Sequence, residues 1–154
     1  MEDVFGRCHF VDLCNYLIGS EYESLTAKSL SSSSLNFIDE DNFSTLIKYK
    51  DGSLANISYY SNGPLGLDKE NIEIFCEDVA IQINDFKDAK YINKYKTQKF
   101  KEFGQNKGQK NMIKAYVDNL MKNNKSLINI VDLITTSKIT FEIVDKIRGN
   151  NNEA

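Results

Sequence analysis

The chain has 154 residues, 41% of them hydrophobic and 27% charged, with a formal net charge of −3. That is enough chain for one domain whose core buries about two thirds of the unfolded surface, and too apolar a composition for disorder. No apolar run approaches the ~20 residues of a membrane span, and the acidic opening Met1-Glu2-Asp3-Val4-Phe5 lacks the basic and apolar regions of a signal peptide, so a soluble cytoplasmic protein is expected.

The first predicted element is a helix. Phe10, Leu13, Cys14, Leu17 and Ile18 fall at i, i+3, i+4, i+7 and i+8, and Gly19 supplies the left-handed residue that stops it. Tyr22–Leu30 reads as a strand, with Leu25 and Ala27 alternating against Ser24 and Thr26, and Ser31-Ser32-Ser33-Ser34 as a low-complexity loop. Phe43–Lys50 and Ser53–Tyr60 then alternate with period two around Asp51-Gly52, a hairpin signal in which both turn residues are expected to accept positive φ. Asn62-Gly63-Pro64-Leu65-Gly66 is a loop by composition. Asn71–Cys76 and Val79–Asn84 flank Glu77-Asp78 as a second hairpin, and Tyr91–Tyr95 and Thr97–Phe103 read as further extended stretches.

Two helices close the chain. Ile113, Tyr116, Val117, Leu120 and Met121 form one apolar stripe that opens near Gly108. From about Asn129 to Arg148, Ile130, Leu133, Ile134, Phe141 and Val144 make one stripe and Val131, Ile139, Ile143 and Ile147 another. Such a helix should be substantially buried, stopped by Gly149, with a frayed tail at 150–154. One helix, then strands, then two helices predict an α+β fold: a largely antiparallel open sheet, helices packed on one face and the other face available for oligomerisation. Residues 1–149 are expected to form a single domain.

Charge and cysteine content narrow the partners. Residues 1–85 carry 15 acidic and 5 basic groups, whereas 86–114 carry nine lysines against Asp88 and Glu102. Lys90, Lys94, Lys96, Lys99, Lys101, Lys107, Lys110 and Lys114 interleave with Tyr91, Tyr95, Phe100 and Phe103, a pattern that can serve single-stranded nucleic acid. In an acidic chain without a nucleic-acid motif they read instead as edge-strand or solvated-face lysines, so neither nucleic acid nor membrane is expected as a partner. Cys8, Cys14 and Cys76 are too few and scattered for a disulfide framework, and with a single histidine no Cys/His zinc site forms; the thiols are expected to be reduced and buried, and no metal is expected. The glycines at 6, 19, 52, 63, 66, 104, 108 and 149 contain no G-x-G-x-x-G, so no dinucleotide is expected to bind this chain by itself.

Four blocks, in order from Gly6 to Gly149, carry a resemblance. Cys8-His9-Phe10-Val11-Asp12-Leu13 through Leu17-Ile18-Gly19 resembles a C-H-F-I-D-L-x-x-x-L-x-G helix. Asp41-Asn42 through Tyr59-Tyr60 resembles a D-N hairpin with D-G-S at its turn. Asn62-Gly63 followed by Lys69-Glu70-Asn71-Ile72-Glu73-Ile74-Phe75 is similar to A-N-G … K-E-x-I-E-V-F. Gly104-Gln105-Asn106-Lys107-Gly108 resembles G-x-D-K-G-H, with Gln109 in the histidine's place. All four are features of the C-terminal domain of the Gfo/Idh/MocA oxidoreductases, the glucose–fructose oxidoreductase and inositol dehydrogenase group.

The resemblance implies a substrate-binding and oligomerisation domain of an enzyme that exchanges hydride between a sugar hydroxyl and NAD or NADP. The cofactor would be held by a Rossmann domain not contained in this chain, which by itself is expected to be inactive and to bind none. It also implies a homo-oligomer formed through the sheet face, a sugar-like substrate, and proton transfer by the histidine that heads the first helix, which maps onto His9. The residues support that role independently. Alcohol oxidation releases a proton, and an imidazole with an ordinary pKa near ~6.5 is the natural acceptor. His9 lies off the predicted apolar stripe, and Asp12 at i+3 shares its side and could orient the ring. Asn62 and Lys69 are candidates for contacts to sugar hydroxyls or a carboxylate. The acidic residue that many relatives carry shortly before the histidine is missing, with Phe5 and Gly6 in those places and Arg7 next to Cys8. The competing reading is a stand-alone, non-catalytic interaction or dimerisation module derived from the same domain, with His9 satisfying local backbone groups.

Overall fold

The structure, a computed structural model, describes residues 4–30, 41–122 and 126–150. Among these described residues three helices and seven strands follow one another as α1 (Val4–Ile18), β1 (Tyr22–Ser29), β2 (Asn42–Tyr49), β3 (Leu54–Tyr60), β4 (Asn71–Cys76), β5 (Val79–Asn84), β6 (Asp88–Asn93), β7 (Thr97–Lys101), α2 (Gln109–Lys122) and α3 (Ile130–Asn150). The strands make two open antiparallel sheets, ordered β1-β2-β3 and β4-β5-β6-β7, so the fold is α+β. The chain divides into two compact units, Met1–Gly63 with Ile128–Ala154, and Pro64–Leu127. The serine loop at 31–34 and the tail at 151–154 lie outside the described residues.

The first unit has a conventional two-layer core. Cross-strand partners share a face, and the register Leu25↔Ile47↔Ala55 and Ala27↔Thr45↔Ile57 puts the alternating apolar residues of all three strands on one side. Those residues, with Phe43 and Tyr49, are buried together with Val11 of α1 and Ile139, Ile143 and Ile147 of α3. α3 lies over β1 and packs along α1. The opposite face of the sheet stays open: Leu46, Leu54 and Tyr60 are exposed, and Ser44 is hydrogen-bonded to Ser58 and Tyr60.

Local chemistry accounts for the element ends, with some differences from expectation. Gly19 takes φ +69° and donates its N–H to Asn15 O, the left-handed helix stop the sequence indicates. At Asp51-Gly52 only glycine adopts positive φ, +89°. The loop is three residues long, closed by Gly52 N–H to Tyr49 O and Tyr49 N–H to Ser53 O, and the Asp51 carboxylate accepts both the Ser53 N–H and its hydroxyl. α1 is turned relative to the predicted stripe. Val11 is its buried residue, flanked by Phe10, Cys14 and Ile18, while Leu17 faces solvent. Among the described side chains α3 buries Thr136, Ile139, Thr140, Ile143, Val144 and Ile147; Ile130, Val131, Leu133, Ile134 and Phe141 are exposed, and the helix passes through Gly149 to Asn150.

The second unit is a different object. Its strands have the expected limits within two or three residues, and Gly108, at φ +76°, precedes α2 as expected. Yet Asp85 is its one buried residue among those described. One sheet face carries Ile72, Ile74, Val79, Ile81, Ile83, Ala89, Tyr91 and Phe100, none of them buried. α2 likewise has no buried residue. Cys76, at the end of β4, is exposed rather than buried, while Cys8 and Cys14 are partly buried and all three are free thiols. β7 is an edge strand exposed along its whole length, so Lys99 and Lys101 stand where edge-protecting lysines belong.

Candidate functional site

His9 lies in the first half of α1 with its side chain exposed. Its ring rests against Phe10, centroids 3.9 Å apart and planes tilted by 41°. Phe10 is itself packed on the core, so the imidazole is backed by an anchored neighbour while presenting its other side outward.

What fixes α1 in place is a polar relay that runs through its buried side. The Tyr49 hydroxyl, on a fully buried residue of β2, donates to Asn15 Oδ1 at 2.9 Å. Asn15 Nδ2 donates to Thr136 Oγ1 of α3 at 3.1 Å, and Thr136 Oγ1 donates onward to Asp12 at 3.3 Å. Each hydroxyl in this relay donates once, and Thr136 also accepts once, so both hydroxyls are satisfied. Burial, and next to it the thiol of Cys14, pushes the Tyr49 hydroxyl well above its ordinary pKa, and burial pushes the Cys14 thiol up to about 11. Both groups stay neutral at physiological pH. Asp12 is an acceptor for α3, its carboxylate tying the two helices together at the exposed end of the relay.

Asn62 follows β3, and its side chain is exposed. Its backbone is held by a buried amide at the start of β2. Asn42, with no exposed surface, accepts the Asn62 N–H on Oδ1 (3.4 Å) and donates from Nδ2 to Ser61 Oγ (3.3 Å), while Ser61 N–H donates to Asp41 O. The Asp41-Asn42 pair quoted for the resemblance is thus the anchor of the Ser61-Asn62 turn.

Lys69 belongs to the second unit, and its side chain is exposed. Around it two of the resembling blocks, 37 residues apart in sequence at Glu70 and Lys107, meet in one clamp. Lys107 Nζ pairs with Glu70 Oε1 at 2.7 Å, Gln105 Nε2 donates to Asp85 Oδ1 at 2.9 Å, and the backbone N–H groups of Asp85 and Asn106 reach Glu70 O and Phe86 O. Glu70 Oε2 is buried without a partner among the described residues. Asp85 also pairs with Lys87 (2.6 Å) and accepts the Lys69 N–H; the Lys87 ammonium is the main cause holding its carboxyl below the usual range. The clamp encloses a β5–β6 turn in which Asp85 and Phe86 take φ +47° and +50°, a conformation that costs a bulky L-residue free energy and persists because its surroundings over-determine it.

The structure therefore places His9, Asp12 and Asn62 in the first unit and Lys69 in the second. The residues that position them, Asn15, Thr136, Asn42 and Asp85, are polar groups inside apolar or turn segments. That misplacement is the signal that could have found them. No group of three or more metal-ligating side chains occurs among the described residues. The left-handed glycines do not form a phosphate cradle: Gly19 ends α1, Gly52 closes a hairpin, and the β7–α2 connection containing Gly104 and Gly108 follows an antiparallel strand and is tied to Glu70, Asp85 and Phe86. No helix among the described residues is long and apolar enough to cross a membrane.

No family model and no curated protein matches the chain. Solved structures do. A UDP-N-acetylglucosamine 3-dehydrogenase from Acidithiobacillus ferrooxidans superposes with a TM-score of 0.76 at 11% identity, covering 92% of this chain and 45% of that one. An oxidoreductase from Agrobacterium radiobacter, in complex with NAD+, L-tartaric acid and magnesium, gives 0.74 at 13% identity, with 93% and 46% covered. An aldose-aldose oxidoreductase from Caulobacter crescentus, complexed with glycerol, gives 0.72 at 14%, with 93% and 44% covered. The chain thus spans less than half the length of the proteins it matches. Its fold is that found in the Gfo/Idh/MocA-type oxidoreductases, as the four sequence blocks imply.

Proposed function

We propose that this chain supplies the substrate-facing domain of an NAD(P)-dependent oxidoreductase acting on a sugar-like CH–OH group, and that His9 is its proton-handling residue. The observation that carries this reading is the near-complete superposition on less than half of several sugar and nucleotide-sugar oxidoreductases, joined to an exposed imidazole on the helix where the resemblance puts it. NAD or NADP would be bound by polypeptide outside this chain and would supply the hydride chemistry. The chain's own residues would do the rest. His9, supported by Phe10, would take the alcohol proton or return it. The Tyr49–Asn15–Thr136–Asp12 relay would hold α1, and so His9, against the sheet. Asn62, on its Asn42-anchored turn, and Lys69, on the clamp, would offer hydrogen bonds to hydroxyls.

A second reading rests on a specific feature of the second unit. Eight apolar side chains on one face of a four-stranded sheet, none of them buried, form the kind of surface that another protein layer covers. Self-association through that face fits a domain within an oligomeric enzyme and fits a stand-alone dimerisation module equally well. The coding sequence upstream of Met1 separates the two. An in-frame glycine-rich nucleotide-binding region, which when joined to this chain yields NAD(P)H from a sugar, supports the enzyme. A stop codon with no such region supports the module.

A further inference from the structure

The polar face of the second sheet carries an arrangement that the His9 reading does not use. Directly paired residues line up in three rows across β4, β5 and β6: Asn71–Asn84–Asp88, Glu73–Gln82–Lys90 and Phe75–Ala80–Ile92. The first two rows are wholly polar, and their six residues, together with Ile83, line a recess of about 170 Å³. Gln82 donates to Glu73 at 3.0 Å. The side chains of Asn71, Asn84, Asp88 and Lys90 make no hydrogen bond or ion pair among the described residues. The third row adds an apolar step. Phe75 is 73% exposed, and its cross-strand neighbour is the small Ala80, so the ring stands clear beside the polar rows.

We infer that this recess binds a single neutral sugar ring, through residues none of which the His9 reading uses. A hydroxyl-rich ring needs donors and acceptors in one plane and an apolar surface for its C–H face. Three amides supply both kinds of hydrogen-bonding group, two carboxylates accept, one ammonium donates, and Phe75 provides the surface. Two carboxylates against one lysine leave the recess with an excess negative charge, which disfavours phosphate and carboxylate ligands. The volume lies below the ~300–1,000 Å³ of sites for drug-sized ligands, which suits one ring and excludes a nucleotide. Burial on one side only limits the affinity to the millimolar range, about 1–10 mM.

Amide-resolved NMR titration of the whole chain tests this. D-glucose is expected to shift the side-chain amides of Asn71, Gln82 and Asn84 saturably, and inorganic phosphate to leave them in place. Phe75→Ala should weaken the response about three- to tenfold, and Asn84→Ala should weaken it further. Both residues are exposed, so spectra of unchanged dispersion show that the variants are folded. The inference is overturned if glucose causes no saturable shift at about tenfold above that range, if phosphate binds in its place, or if folded Asn84→Ala and Phe75→Ala chains respond like the parent. A positive response in a chain whose His9 has no catalytic role would leave this site standing, since the two share no residue.

Discussion

Replacing Asn15 with leucine, which is close to it in shape, isolates the polar relay between α1, β2 and α3. Asn15 Oδ1 is the acceptor for the hydroxyl of fully buried Tyr49, and its Nδ2 donates to Thr136. Leucine leaves the Tyr49 hydroxyl without a partner at a cost of about 1–3 kcal/mol and removes one further hydrogen bond worth about 1 kcal/mol. Thr136 still donates to Asp12, so it adds no further orphan. The expected loss is about 2–4 kcal/mol in urea unfolding, or roughly 4–16 °C in melting temperature for a chain of this size. The decisive comparison is the double variant. Once Tyr49→Phe has removed the hydroxyl, Asn15→Leu strands nothing, so the two losses should overlap by about 1–2 kcal/mol. Additive losses, or a single-variant cost below about 0.5 kcal/mol, would refute the relay as the element that holds α1.

Further expectations concern separate parts of the molecule. Gly52→Ala should cost about 1 kcal/mol by thermal melting, a purely conformational loss, because φ is +89° and nothing lies within 4 Å of the added Cβ. Cys76 should be alkylated first at pH 8, while Cys14, its thiol pushed up to about 11 by burial, should react only when the chain unfolds; mass spectrometry of partially labelled protein locates the adducts. The Asp85 carboxyl is held below its unfolded value by Lys87, so its contribution is present above the unfolded pKa near ~3.9 and lost as pH falls through the folded pKa. Amide exchange at the β5–β6 turn should therefore accelerate only below about pH 4, and Asp85→Asn should abolish that pH dependence. Light scattering should find the chain self-associated, and Ile81→Lys on the apolar face should return it to monomer. A parent chain that is monomeric at high concentration removes the interface proposal.

How much of this was readable in the residues depends on the physics behind each element. Over most of their length β1, β2 and β3 show period-two burial because one face of their sheet is covered and the other is wet, and Leu25, Ala27 and Ile57 announce it directly; the break is at Asn42, buried beside Phe43. The α1 stop at Gly19 needs only a local left-handed residue. The face that α1 buries was misread by one position, towards Leu13 and Leu17, because apolarity does not say where the neighbour lies. Asn15, a polar residue, is drawn in by Tyr49 and Thr136, and Val11 is buried with it. The exposed first half of α3 and the unburied apolar face of the second sheet defeat any rule that equates apolar with buried. His9 was legible as a candidate from its type and position. The supports of its helix were not: Asn15 acts through Tyr49 and Thr136, 34 and 121 positions away, which no local pattern records.

The proton-transfer role of His9 is tested most directly by turnover with His9 replaced, in this chain fused to a nucleotide-binding Rossmann domain. His9 is exposed, so His9→Gln should leave stability within about 0.5 kcal/mol. This variant is expected to keep its NAD(P) affinity but to lose about 100- to 10,000-fold in kcat, together with the pH limb in the imidazole range. Turnover equal to that of the parent, with the same pH profile, would contradict that role.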